Sequence, residues 1–87
     1  MNNEFYLSII SVQHTESGVV LQFLSRHKLN LHTKIIVGKA KFKIIHVSIE
    51  EDFITYSAVY CGITIPTTEM LVNLYNYNNK LIQVENE

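Results

Sequence analysis

The chain reads as an all-β, mainly antiparallel fold: a small closed or partly open β-barrel of five to six strands with one short helix near the C-terminus. Three observations predict it. Apolar residues recur with a period close to 2 along most of the chain. The recurring types are Val, Ile, Phe, Tyr and Thr, which suit a pleated, half-buried surface. Finally, 87 residues that are 47% hydrophobic and only 17% charged make a single domain over 1–87, with one core and no room for a second. An open sheet of so few strands would expose two edges. Closing it removes them, so a barrel is the economical arrangement.

The first strand is expected from about Phe5 to Gln13 and the second over Val19 to Ser25, where Val19, Leu21 and Phe23 alternate with Val20, Gln22 and Leu24. Between them, His14 to Gly18 is a polar connection ending in the glycine that a left-handed turn position favours, so the pair forms a hairpin. Ser25 to His32 is polar apart from Leu29 and Leu31 and reads as a loop with both leucines tucked inward. Thr33 to Val37 is the third strand. Gly38 then supplies either a tight turn or a kink, and a hairpin and one bent strand both remain open.

In the fourth strand Ala40, Phe42 and Ile44 share one face, opposite Lys39, Lys41 and Lys43. Unbroken alternation would next send His46 and Ser48 into the core. A bulge at Ile44-Ile45 shifts the phase by one residue and turns Ile45, Val47 and Ile49 inward instead. Glu50-Glu51-Asp52 is a charged turn, and the fifth strand, FITYSAVYC, buries Ile54, Tyr56, Ala58 and Tyr60. Gly62 ends it, with Ile63 and Ile65 continuing the pattern as far as Pro66. Thr67 or Thr68 can then cap a helix reaching about Tyr77, with Leu71, Leu74 and Tyr75 at helical spacing, although residues 67–77 also allow an extended reading. Asn76 to Asn79 reads as a turn, KLIQV as the last strand, and Glu85-Asn86-Glu87 as a tail.

The start of the chain lacks a positive n-region and places Glu4 and Ser8 within what a signal peptide would keep apolar, so no secretion signal is expected. No run approaches the roughly 18 apolar residues of a membrane helix, and no membrane partner is expected. The single cysteine, Cys61, cannot form an internal disulfide, which points to a reducing, cytoplasmic setting. Net charge is −1, but six of the seven basic residues fall between Arg26 and Lys43, a stretch without any acid. From Glu50 onward there are six acids and one lysine, so the chain is dipolar along its length.

The order of FYLSIISV, a turn ending in Gly18 before Val19-Val20-Leu21, then KIIVG, FKIIHV and SAVYCGI with its Gly62 resembles the second domain of translation elongation factors. The resemblance spans roughly Phe5 to Ile65. It implies a small barrel that serves as a docking module. The GTPase that accompanies that domain does not fit in 87 residues, and no GxxxxGK[ST] phosphate loop occurs.

The residues singled out for partner binding are Arg26, Lys28, Lys34, Lys39, Lys41 and Lys43, with Tyr75 and Tyr77 as an exposed aromatic rim. Lysines at i, i+2 and i+4 project from one strand face about 6.5 to 7 Å apart, suited to phosphates or to an acidic protein. The same lysines also suit the plain solvent side of an edge strand. Only Phe42 interleaves with them, and its expected face is the opposite one, which disfavours a stacking platform for single-stranded nucleic acid. His14, His27, His32 and His46 match no metal-ligand spacing, and neither Cys61 nor Ser57 sits in a nucleophile motif. No metal, cofactor or enzymatic activity is expected. The reading is a non-catalytic binding module acting through protein–protein interaction, as an adaptor, inhibitor or immunity-type protein. An RNA- or DNA-binding barrel contacting phosphates through the 26–43 segment is the alternative. A strand edge left uncovered would also allow a homodimer.

Overall fold

The computed structural model describes residues 4–16, 18–63, 65–77 and 81–84. Seven strands, β1 (Glu4–Tyr6), β2 (Ser8–Thr15), β3 (Gly18–Ser25), β4 (Lys34–Val37), β5 (Ala40–Ile49), β6 (Ile54–Tyr60) and β7 (Leu81–Val84), form one sheet in the order β1-β7-β4-β5-β6-β3-β2. Every pairing is antiparallel. β1 and β2 stand at opposite ends of that order, yet only Leu7 separates them in the chain. They are the two halves of the expected first strand, split so that one half pairs with β7 and the other with β3. The sheet thus curls back onto its own first strand as a small, partly open barrel. Near the split, the buried Ser25 hydroxyl donates to the Tyr6 carbonyl at 2.8 Å and accepts from the His27 N–H at 3.0 Å.

A short helical segment packs against the strands. Helix α1 (Thr68–Asn73) runs into a 3₁₀ turn at Leu74–Tyr77, so the stretch after the extended Thr67 is helical. Thr67 caps it, its hydroxyl accepting from the Met70 N–H at 3.1 Å. Leu71 and Leu74 enter the core, and the Tyr75 hydroxyl accepts from the Val12 N–H of β2 at 3.2 Å, on the side of β2 away from β3. The helical segment is thus tied to the core through its leucines and to β2 through one hydrogen bond.

The β4–β5 connection is a hairpin. Val37 pairs with Ala40 across a two-residue turn, Gly38-Lys39, in which only Gly38 has positive φ, at 66°. A positive φ at the first central residue alone is the glycine-first arrangement of type II′ hairpins. A Cβ at Gly38 would also lie 2.7 Å from the Tyr77 hydroxyl. Gly38→Ala should accordingly destabilise the fold by about 1–2 kcal/mol from the left-handed conformation, with the Tyr77 clash added. Urea denaturation of the variant checks this, and an unchanged midpoint would contradict it.

Both register shifts in the sheet fall on double isoleucines. One separates Ile44 from His46, as the alternation of β5 predicts, and the other separates Ile9 from Ser11 in β2. In each pair the first isoleucine is buried and the second is the extra residue, with Ile10 48% and Ile45 45% exposed. The phase correction in β5 succeeds only in part. Val47, opposite the buried Tyr56, packs against the core, while Ile45 is spent on the bulge itself and Ile49 passes the barrel rim to remain exposed.

Two further expectations need correction. Leu29 is buried but Leu31 is exposed, because the chain reverses at Leu31-His32, where His32 takes a positive φ of 70° and its N–H donates to the Ile44 carbonyl at 2.8 Å. Ile63 and Ile65 do not continue a strand. The Cys61 N–H donates to the Lys41 carbonyl at 2.9 Å, and β5 begins at Ala40, so the partner strand runs out and both isoleucines are left exposed. The expected tail, Glu85 to Glu87, and the second half of the expected 76–79 turn lie outside the described residues.

Candidate partner-binding surface

The β4–β5 hairpin carries the lysines. Lys34 lies directly opposite Lys43, and Lys41 opposite Ile36, so these three share the outer face of the hairpin while Ile35, Val37, Phe42 and Ile44 face the core. Cross-strand partners of this kind hold their Cβ atoms about 4.5–5.5 Å apart, and like charges there repel. Neither strand contains an acid. Lys39 sits exposed at the hairpin turn, beyond one end of the same face.

Arg26 and Lys28 are placed elsewhere. They lie exposed on the loop between β3 and β4, which crosses the other end of the barrel. This loop is tied from beneath by Tyr56, fully buried on β6, whose hydroxyl donates to the His27 carbonyl and accepts from the Leu29 N–H, both at 2.8 Å. A stack of rings leads to the tie: Tyr56 on Phe23 with centroids 5.1 Å apart, Phe23 beside Phe5 at 6.1 Å, and Phe5 on His27 at 5.9 Å. Burial pushes the Tyr56 hydroxyl above the ordinary tyrosine range, and the Leu29 N–H partly opposes that shift. Tyr56 is a structural anchor for the loop.

Ser25 pairs with Ile54, so the acidic turn Glu50-Glu51-Asp52 lies at the same end of the barrel as Arg26 and Lys28. The acid-free run from Arg26 to Lys43 is therefore a property of the sequence, and folding returns acids to one end of it. Lys34, Lys41 and Lys43 stay together on the β4–β5 face, whose two strands contain no acid.

The tyrosine rim also divides. Tyr77 is half-buried beside Gly38, within a groove of about 390 Å³ lined by Val37, Lys39, Thr67, Glu69, Met70 and Leu74 among others. Tyr75 turns instead to the edge of β2. The structure brings Tyr77 to Lys39 and takes Tyr75 away from the lysines.

Cys61 is half-buried at the end of β6, its thiol 3.5 Å from the Lys41 carbonyl. Among the described residues no three His, Cys, Asp or Glu side chains converge in a way that could hold a metal ion, and no helix is long and apolar enough to cross a membrane. Sequence reasoning missed the acidic turn as a neighbour of Arg26, because that proximity depends on the β3–β6 pairing. It also missed Ile63 and Ile65 as exposed apolar residues, although the short distance from Gly38 to Phe42 already limited how far β6 could be paired. Comparison with protein-family models, curated proteins and solved structures finds no match to this chain.

Proposed function

We propose that the chain is a non-catalytic binding module, working in a reducing cytoplasm, that engages an acidic protein surface through the lysine-bearing outer face of β4–β5. The observation that carries this reading is the register that sets Lys34 directly opposite Lys43, with Lys41 on the same face. Like charges in that relation cost stability, and a counter-charged partner turns the cost into binding energy. The face is the convex outside of a barrel, which suits docking rather than the enclosed pocket that catalysis needs. With Tyr75 directed to β2, half-buried Tyr77 is the one candidate ring left beside a lysine, and a single half-buried ring is a poor stacking platform, so a protein partner is favoured over a nucleic acid.

Anisotropy titrations with a labelled polyglutamate peptide and with a labelled single-stranded oligonucleotide test the proposal. At low salt the peptide should bind, release as salt rises, and lose most of its affinity to Lys34→Gln/Lys43→Gln. Tighter binding of the oligonucleotide, with a salt slope reduced by the same substitutions, would reassign the face to phosphates. Failure of both ligands to bind would remove the lysine face as a docking site.

A further inference from the structure

Two isoleucines stand out from the surface. Ile63 and Ile65 are as exposed as they would be in an isolated peptide, at 104% and 91%, on the connection between β6 and α1. The connection is held at both ends beside lysines. Cys61 is bonded to the Lys41 carbonyl, and Thr67 shares a groove with Lys39. Each isoleucine is two residues from one of these anchor points, within about 7 Å of chain. The end of the barrel carrying the β4–β5 turn thus presents an apolar tip beside Lys39 and Lys41, with Glu69 of α1 lining the same groove as Lys39.

The opposite end presents the converse. β5 runs from the lysine turn to the Glu50-Glu51-Asp52 turn, closed by the Glu50 N–H donating to the Phe53 carbonyl at 2.9 Å. Flanking these acids, Ile49 is 73% and Phe53 39% exposed, and Leu31 and Ile45 are exposed as well. Beyond Ile44, the side of β5 that faces β4 has no strand beside it among the described residues. Arg26 and Lys28 lie at this end too, so its acidity is concentrated on the turn itself.

From this complementarity we propose that the chain associates head to tail with a second copy of itself. The Ile63/Ile65 tip of one molecule docks on the Ile49/Phe53 surface of the next, and lysines around the tip meet the acidic turn. The inference goes beyond the binding function proposed above and does not depend on it. The contact is heterologous, so it leaves one free tip and one free acceptor and can add further copies. The apolar contact rests on Ile63 and Ile65 at one end and on Ile49 and Phe53 at the other, so the association should be weak.

Sedimentation velocity on the full chain tests this, over a concentration range of roughly 10 to 500 µM suited to a weak association. The weight-average sedimentation coefficient should rise with concentration and fall back as salt is added. Ile63→Ser/Ile65→Ser removes the tip, and Glu51→Lys/Asp52→Lys reverses the acceptor. All four residues are exposed, so circular dichroism and thermal melts should match the wild type. Each variant alone should remain monomeric, whereas an equimolar mixture should give dimers and nothing larger, because one variant keeps a tip and the other keeps an acceptor. A wild type that stays monomeric throughout, a variant that self-associates like the wild type, or a mixture that stays monomeric would each overturn the proposal. Binding of a monomeric wild type to phosphatidylserine vesicles, lost in Ile63→Ser/Ile65→Ser, would overturn it in favour of a lipid surface as the occupant of the tip.

Discussion

Replacing Leu74 by alanine should lower the stability of the fold by about 2–5 kcal/mol, the cost of emptying a buried leucine site. Leu74 is almost completely buried at the junction of α1 and the 3₁₀ turn. It lines a groove with Val37, Gly38 and Lys39 of the β4–β5 hairpin, while Tyr75 of the same segment reaches β2. A domain of this size is held by only about 0.05–0.15 kcal/mol per residue, so the substitution removes a large share of the total. Val72, exposed on the same helix, supplies the control. Val72→Ala should change stability by no more than about 0.5 kcal/mol, since surface substitutions away from special features are nearly neutral. Equal losses from the two variants in urea would mean that the segment is packed onto the barrel as a whole and is not anchored through Leu74.

Tyr56→Phe should cost about 1–3 kcal/mol, because the ring still fills its place while the Leu29 N–H and the His27 carbonyl lose their buried partner. The substitution also carries a pH signature. The buried hydroxyl has its pKa raised above the ordinary value of 10.0. The native state therefore keeps its proton where the unfolded state gives it up. Stability from this group is fully present below pH 10 and is lost as pH rises through the folded-state pKa. Denaturation of both proteins across the alkaline range checks the sign: the advantage of the wild type over Tyr56→Phe should shrink above pH 10 and stay constant below it. An advantage that grows at high pH would contradict the assignment.

Much of this architecture is written in local pattern. The hairpin of β2 and β3, the cap at Thr67 and the bulge after Ile44 each follow from a few neighbouring residues, since turn chemistry, capping and side-chain phase are local constraints. The split of the first strand at Leu7 is not local. It is set by β7 claiming one half of the strand and β3 the other, and alternation continues through such a break without marking it.

The candidate site was legible in the same uneven way. Lys39, Lys41 and Lys43 follow from a period of 2, but the placing of Lys34 against Lys43 needs the register across Gly38-Lys39. Arg26 and Lys28 belong to the same stretch of sequence but sit in the eight-residue β3-to-β4 connection, which crosses the end of the barrel away from the Gly38-Lys39 turn. Ile63 and Ile65 keep a strand's alternation after the partner strand has ended, so pattern alone reads them as paired.

The proposed function requires the lysine face to be held together against its own repulsion. A double-mutant cycle on Lys34→Gln and Lys43→Gln, read by urea denaturation at low and high salt, measures that directly. The predicted result is an unfavourable coupling of about 0.2–1 kcal/mol between the two lysines at low salt, fading as salt screens it. A coupling of zero, or one that favours the pair, would contradict the claim.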